Sequence, residues 1–390
     1  MLSNYRNLLE LSLISCQIIF SRMLNPKRKP KIKGHLLYNS LPHVWRELKK
    51  DNEIKGVYKK KAALISWMVY CVMRPLVALQ NLIFGKRIKA EDLSKKPPVF
   101  ILGHWRSGTT HVHYLFHKDP QFGTLSNYQS FLFNIAMLSK SWLKFLLSPL
   151  MPETRPQDNV RVDTDLPAEE EQPLSIMSTK TGFHTWSFPS NRSYFDKYNT
   201  FQGISEDEKK AWQVDYLTVL KNISYYNDGK RLVLKNPHNT SRVKELLELF
   251  PDAKFVFIHR NPYDVFTSTR HLIFRAVRIQ FLEFVSHEQI EDMIMYFFER
   301  TMKKYIAEKN LIPKGNLVEV SFDEMETDSS SQIARMYQEL GLANFDKAQP
   351  FIQEYINSVK NYKKNNFRNL NPETQRRINK DWAFAFEEWG

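Results

Sequence analysis

The stretch from Pro97 to His113 (Pro-Pro-Val-Phe-Ile-Leu-Gly-His-Trp-Arg-Ser-Gly-Thr-Thr-His-Val-His) constrains this 390-residue chain more than any other. It reads as a buried strand, a tight loop and the start of a helix. Val99, Phe100, Ile101 and Leu102 form a short unbroken apolar run, as in parallel strands covered on both faces. Gly103 and Gly108 bracket the loop, where the backbone turns sharply or lies close to a ligand. Thr109 and Thr110 open the next helix, whose unpaired N–H groups and dipole favour an anion.

The loop spacing matches most of the nucleotide-binding pattern G-x-x-x-x-G-K-[ST]. Gly103, Gly108 and Thr110 fit, and Thr109 stands where the phosphate-binding lysine belongs. Without that lysine the main contact to the outer phosphates is lost. The loop therefore suits a phosphate-like group better than magnesium-assisted phosphoryl transfer. Arg106, the nearest cation, has a guanidinium that can fork onto a tetrahedral oxyanion through two parallel bonds. An ordinary strand–turn–helix corner accounts for the same letters, so the rest of the chain must decide.

Formal net charge is +14, which points to an acidic partner: a phosphorylated or sulfated ligand, an anionic membrane surface or nucleic acid. The two cysteines, Cys16 and Cys71, indicate neither a disulfide framework nor a thiolate metal site, and a reducing, cytoplasmic compartment is the simplest reading. Residues 1–92 read as a basic helical N-terminal extension and 93–390 as the main domain. Leu8 to Phe20 is apolar but too short to span a bilayer. Leu64 to Phe84 is longer and is interrupted by Arg74-Pro75 and Gln80-Asn81, so a helix lying on a membrane or covering the catalytic core is expected there. Lys27–Lys31 and Lys59–Lys61 beside these segments would attract anionic lipid.

Further along, Ser130 to Leu150 is strongly apolar and is expected in the core or in the wall of an acceptor pocket. In Val162–Glu171, Asp165 or Thr164 is placed to cap a helix carrying Pro167, Glu169, Glu170 and Glu171 in its first turn. A glutamate facing inward there would serve as a general base. Arg231 to Lys235 is a second buried strand, with Lys235 and His238 at its carboxyl end, where ligands of open parallel sheets bind. Asn239 or Thr240 is expected to cap the helix after it, and Val243, Leu246, Leu247 and Phe250 give that helix one inward face. Lys254 to His259 is a third strand. Asn261 then caps a helix with Pro262 at its first position, and Arg260 and Ser268 converge on one phosphate unless Arg260 pairs with Asp264. Asn316 to Phe322 is a late strand, and Ser331 to Leu340 a helix closed by Gly341. Strands separated by helices imply an α/β fold, a mostly parallel sheet with helices on both faces.

Taken together, the loop, the Arg260/Ser268 pair and the Lys235-Asn236-Pro237 elbow resemble the sulfotransferases that use 3′-phosphoadenosine 5′-phosphosulfate (PAPS). The similarity is to the bacterial branch whose loop reads R-S-G-T-T, and it covers roughly residues 95–390. It implies the P-loop-like sulfotransferase fold, PAPS as donor, 3′,5′-adenosine bisphosphate (PAP) as product and no metal. Carried over residue by residue, it implies that Arg106, Ser107, Gly108, Thr109 and Thr110 hold the phosphosulfate. Arg260 and Ser268 would hold the 3′-phosphate, and Lys235 the departing or transferring group. Tyr362–Phe367, with Lys363, resembles the segment that closes over the nucleotide. The pattern departs from the tyrosyl-protein branch at Leu125–Gln129, which carries no acid, so the base is open between Glu169, Glu171 and His238, with the glutamates favoured.

The expected reaction is metal-independent, in-line transfer of a sulfuryl group to the hydroxyl or amine of a small-molecule, lipid or carbohydrate acceptor, not to nucleic acid. The N-terminal region is expected to touch a membrane peripherally. Two readings compete: a kinase with an unusual P-loop, and a non-enzymatic binder of anionic lipid or nucleic acid. A kinase would need a metal-holding aspartate at a strand tip, where this chain has Lys235 and Arg260.

Overall fold

The computed structural model describes residues 40–54, 56–140, 143–144, 163–360 and 370–390. Its centre is a parallel sheet of β1 (Val99–Leu102), β2 (Phe122–Gly123), β3 (Arg231–Lys235), β4 (Lys254–His259) and β5 (Leu317–Ser321), in the order β2-β3-β1-β4-β5. β1 is central, with Phe100 beside Leu234 on one side and Phe255 on the other. All four of its residues are buried, as a strand covered on both faces requires.

Side chains alternate across a strand, so each apolar run feeds two cores. Phe100, Leu102, Leu232, Leu234, Phe255 and Phe257 share one core with residues of the helices Glu206–Tyr226 and His287–Glu308. Val99, Ile101, Val233, Val256 and Ile258 share the other with residues of the helices Thr109–His117, Ser329–Glu339 and Phe345–Val359. Each large side chain buried in these layers contributes about 1.5–3 kcal/mol relative to exposure.

In chain order the helices used below are α1 (Pro42–Asp51), α2 (Gly56–Lys89), α3 (Thr109–His117), α4 (Glu171–Met177), α5 (Arg192–Thr200), α6 (Glu206–Tyr226), α7 (Val243–Leu249), α8 (Pro262–Leu272) and α9 (His287–Glu308). α1 packs Val44, Trp45 and Leu48 against Phe188, Phe195 and Leu282. α2 continues through Pro75 where the sequence suggested an interruption. It lies along α6, with Phe84 against Tyr225 and the Lys221 ammonium donating to the Lys89 carbonyl at 2.9 Å. Among the described residues no helix is long and apolar enough to cross a membrane. Of the apolar 130–150 stretch, Phe133 and Ile135 are buried and Phe131 is exposed. Most of residues 141–150, all of residues 1–39 and the Tyr362–Arg368 segment with Lys363 lie outside the described residues.

Two expected helix starts are corrected. Neither Thr164 nor Asp165 caps a helix, because residues 164–168 spend their backbone bonds on another segment. Thr164 and Leu166 accept from the N–H groups of Tyr128 and Asn127, and Ala168 donates to Leu125. The helix begins only at Glu171, leaving Glu169 and Glu170 on the approach to it. After β3 a 3-10 turn over Pro237–Ser241 comes first, capped by Asn236, whose side chain accepts from the His238 N–H at 3.1 Å; α7 then starts after Arg242 with no side-chain cap, so neither Asn239 nor Thr240 caps it. Those two side chains are spent on tertiary bonds: Asn239 donates to Glu170, and Thr240 accepts from the Gly103 N–H. The start of α8 is as expected, with Asn261 accepting from the Tyr263 N–H and Pro262 at the first position.

Candidate active site

The loop between β1 and α3 sits where three strand ends meet. Gly103 and Gly108 have φ of 143° and 97°, conformations that side chains rarely adopt. A Cβ on Gly103 would come within 2.5 Å of the Ile258 carbonyl, and one on Gly108 within 2.7 Å of the Phe322 ring. Both glycines therefore let the loop pack onto β4 and the start of the helix Phe322–Thr327 after β5. Arg106, with φ of 73°, holds the third positive-φ position of the loop.

The predicted anion residues come together here. The Arg106 Nε donates to the Ser268 hydroxyl at 2.8 Å, and the Arg260 Nη1 to the Arg106 carbonyl at 3.4 Å. Arg260 also pairs with Asp264 at 3.1 Å and stacks its guanidinium 4.0 Å from the Phe322 ring centre. The pairing with Asp264 is therefore present, and Arg260 also reaches the loop through the Arg106 carbonyl. Ser107, Thr109 and Ser268 are buried, and Thr109 and Thr110 form the first turn of α3. The result is a guanidinium cluster beside a helix N-terminus, the combination that binds tetrahedral anions.

Lys235, at the tip of β3, is nearly buried and ion-paired to Glu169, whose side chain remains partly open to solvent. The two neighbouring glutamates point elsewhere. Glu171 is fully buried, clasped by Arg242 through two bonds of 2.7 Å, and accepts further bonds from Asn236 and Thr181. Burial alone would raise its pKa, but Arg242 above all, with His238 and the donated hydrogen bonds, brings it down to about 2. Glu170 is the opposite case. Burial without a cation of its own, together with the charge on Glu171, pushes it up to about 7 against the bonds from Tyr216 and Asn239.

His238 is buried with one ring nitrogen fixed. Its Nδ1 lies 2.7 Å from the Asn199 amide oxygen, so Nδ1 carries the hydrogen and Nε2 presents a lone pair with no partner. Burial lowers its pKa to about 4, Glu171 countering in part, and the ring is neutral at pH 7. Trp105 of the loop meets this imidazole edge-on at 4.9 Å, and Trp186 packs against Trp105. Phe183 lies 6.3 Å from the imidazole. An aromatic wall thus joins the anion loop to the free Nε2.

Sequence reasoning missed Asn199, Arg242, Tyr216, Asn236 and Gly182. Gly182 leaves room for Asn199: a Cβ there would fall 1.8 Å from the amide oxygen. Local periodicity carries no signal for these residues, since Asn199 reaches His238 across 39 positions and Arg242 reaches Glu171 across 71.

The sulfotransferase family model matches residues 97–347. Omega-hydroxy-beta-dihydromenaquinone-9 sulfotransferase Stf3 from Mycobacterium tuberculosis, and its counterpart in Mycobacterium bovis, are each 28% identical over 311 residues, covering 80% of this chain and 79% of theirs. Among solved structures, sulfotransferase STF1 from Mycobacterium tuberculosis has a TM-score of 0.59 at 18% identity, covering 83% of this chain and 88% of its own. STF9 from Mycobacterium avium has a TM-score of 0.60 at 15% identity, covering 88% and 90%. With more than half its length matched by that model, over the span that carries the loop, the β3 elbow and the Arg260/Ser268 pair, the chain belongs to the sulfotransferase family and is a sulfuryl-transferring enzyme.

Proposed function

We propose that the enzyme transfers a sulfuryl group from PAPS to the hydroxyl of a lipid or other apolar alcohol, with His238 as general base. The observation that carries the donor assignment is the Arg106–Ser268 hydrogen bond with Arg260 on the Arg106 carbonyl, which makes one cationic cradle of two separated motifs. The residues suit such a donor: Arg260 and Ser268 would hold the 3′-phosphate, and Arg106, Ser107, Gly108, Thr109 and Thr110 the phosphosulfate. PAPS supplies an activated sulfuryl group on a phosphate leaving group.

The protein's part is to position, neutralise and deprotonate. Lys235 places its ammonium at the tip of β3, and Glu169 holds it there. Arg106 and Lys235 offset the charge that develops on the transferring oxygens and the leaving phosphate. His238 takes the acceptor proton on Nε2, and Asn199 keeps its tautomer fixed. Glu171 is set aside as base because its carboxylate is saturated with donors and too weakly basic. Trp105, Phe183 and Trp186 beside Nε2 favour an apolar acceptor, and the relative named for a hydroxylated menaquinone points the same way. The same reading puts the enzyme in the cytoplasm with its N-terminal region on a membrane.

Calorimetric titration with PAP, against ATP as control, tests the donor. Wild type should bind PAP far more tightly than ATP, and Arg260→Ala should lose that binding. Lys235→Ala and Arg106→Ala should each lower turnover by an amount equivalent to about 3–4 kcal/mol of barrier. A preference for ATP with magnesium, or turnover unchanged in both variants, would sink the proposal.

A further inference from the structure

Among the described residues, helix α2 has one face whose apolar side chains are exposed. Met68, Val72, Pro75, Leu79 and Leu82 follow one another at helical spacing along it, flanked by Trp67, Cys71 and Ile83. Trp67 is 64% exposed, Val72 67% and Leu82 81%, whereas Gln80 and Ile88, on the opposite side, are buried. A continuous apolar stripe of this length does not belong on a surface that meets only water.

The charges around the stripe say what covers it. Among its described side chains α2 carries four cations (Arg74, Lys86, Arg87 and Lys89) and no aspartate or glutamate. At the Trp67 end the stripe runs into a groove of about 500 Å³ between α1 and α2, lined by Trp45, Arg46, Lys49, Lys50, Trp67 and Tyr70. Arg46, Lys49 and Lys50 are exposed there. Aromatic rings beside cations at the edge of an apolar strip match the layering of a lipid surface, with acyl chains below and phosphate headgroups above.

We propose that α2 and the α1–α2 groove form a docking face for an anionic phospholipid surface. The apolar stripe lies in the boundary of the acyl region, and Arg46 and Lys49 engage headgroup phosphates over the groove. This rests on the exposed face and its charge alone and stands independently of the donor and base assignments.

The test is vesicle flotation of the full chain at physiological salt, with phosphatidylglycerol–phosphatidylcholine vesicles against phosphatidylcholine alone. Wild type should float only with the anionic vesicles. Arg46→Ala with Lys49→Ala should weaken partitioning roughly thirtyfold, and Trp67→Ser with Leu82→Ser by roughly tenfold or more. Far-UV circular dichroism and the melting temperature of each variant check that the fold survives. A fluorophore on Cys71, in a chain carrying Cys16→Ser, should shift to the blue on anionic vesicles. Wild type that floats with neither vesicle, or variants that float as well as wild type, would overturn the proposal. So would a dimer in solution that Leu82→Ser dissociates while vesicles capture nothing, because a second copy would then be the occupant.

Discussion

The Asn199 amide decides what His238 can do. A carboxamide oxygen fixes the imidazole's hydrogen on Nδ1 without adding a charge, so the ring stays neutral and its pKa, lowered by burial, stays near 4. An aspartate at the same place would favour the imidazolium. Asn199→Asp should therefore move the acid limb of the kcat/KM profile upward by roughly one to two pH units. Asn199→Ala frees the ring to turn and should lower kcat roughly tenfold or more, with little change in KM. Gly182→Ala should act like Asn199→Ala, because its methyl would occupy the space of the amide. A pH profile that is the same in wild type and Asn199→Asp would remove His238 from the reaction and return the base role to Glu169.

The elbow from Asn236 to Arg242 joins β3 to α7 and works as one polar unit. Its Asn236, Asn239 and Arg242 side chains all turn onto Glu170 or Glu171, which the segment before α4 delivers. Removing one member of a buried pair leaves a charge without a partner, and this costs far more than the pair contributes. Arg242→Met should destabilise the fold by about 3–5 kcal/mol in urea titration, and Glu171→Gln added to it should recover part of that loss. Equal stability of the two variants would mean that Glu171 finds another cation. Much of this region is legible in the sequence. The apolar run of β3, the strand-tip position of Lys235 and the inward face of α7 follow from local spacing, as do the loop glycines and the capped start of α8. What local spacing cannot report is which polar side chains are spent on distant partners. That is why the glutamates read as bases, while Arg242, which holds one of them, passed unnoticed.

Across the whole molecule the buried histidines carry a collective consequence. Burial is the leading cause that lowers His104 to about 3, His111, His117 and His238 to about 4, and His113 well below its usual value of 6.5. A group whose pKa is lowered in the fold stabilises it above the unfolded value and loses that contribution as pH falls toward the folded one. Each of these rings therefore favours unfolding once pH drops below 6.5. Glu170 runs the other way: raised to about 7, its contribution is present below 4.5 and lost as pH rises through 7. Between pH 6 and 5 the unfolded chain holds about four to five more protons on these rings than the folded chain does, and Glu170 offsets roughly one, leaving a slope on the order of 5 kcal/mol per pH unit. Total stability of a domain is on the order of 5–15 kcal/mol, so this slope exhausts it within a few units. The melting temperature should hold level from pH 8 to 7 and fall steeply between pH 6 and 4.5. Replacing Glu170 with glutamine, which stays uncharged at every pH, should steepen that fall, because a group that opposes it is gone. A melting temperature that stays level from pH 7 to 5 would mean that these imidazoles are charged in the fold, and that His238 meets its acceptor as a cation unable to take a proton.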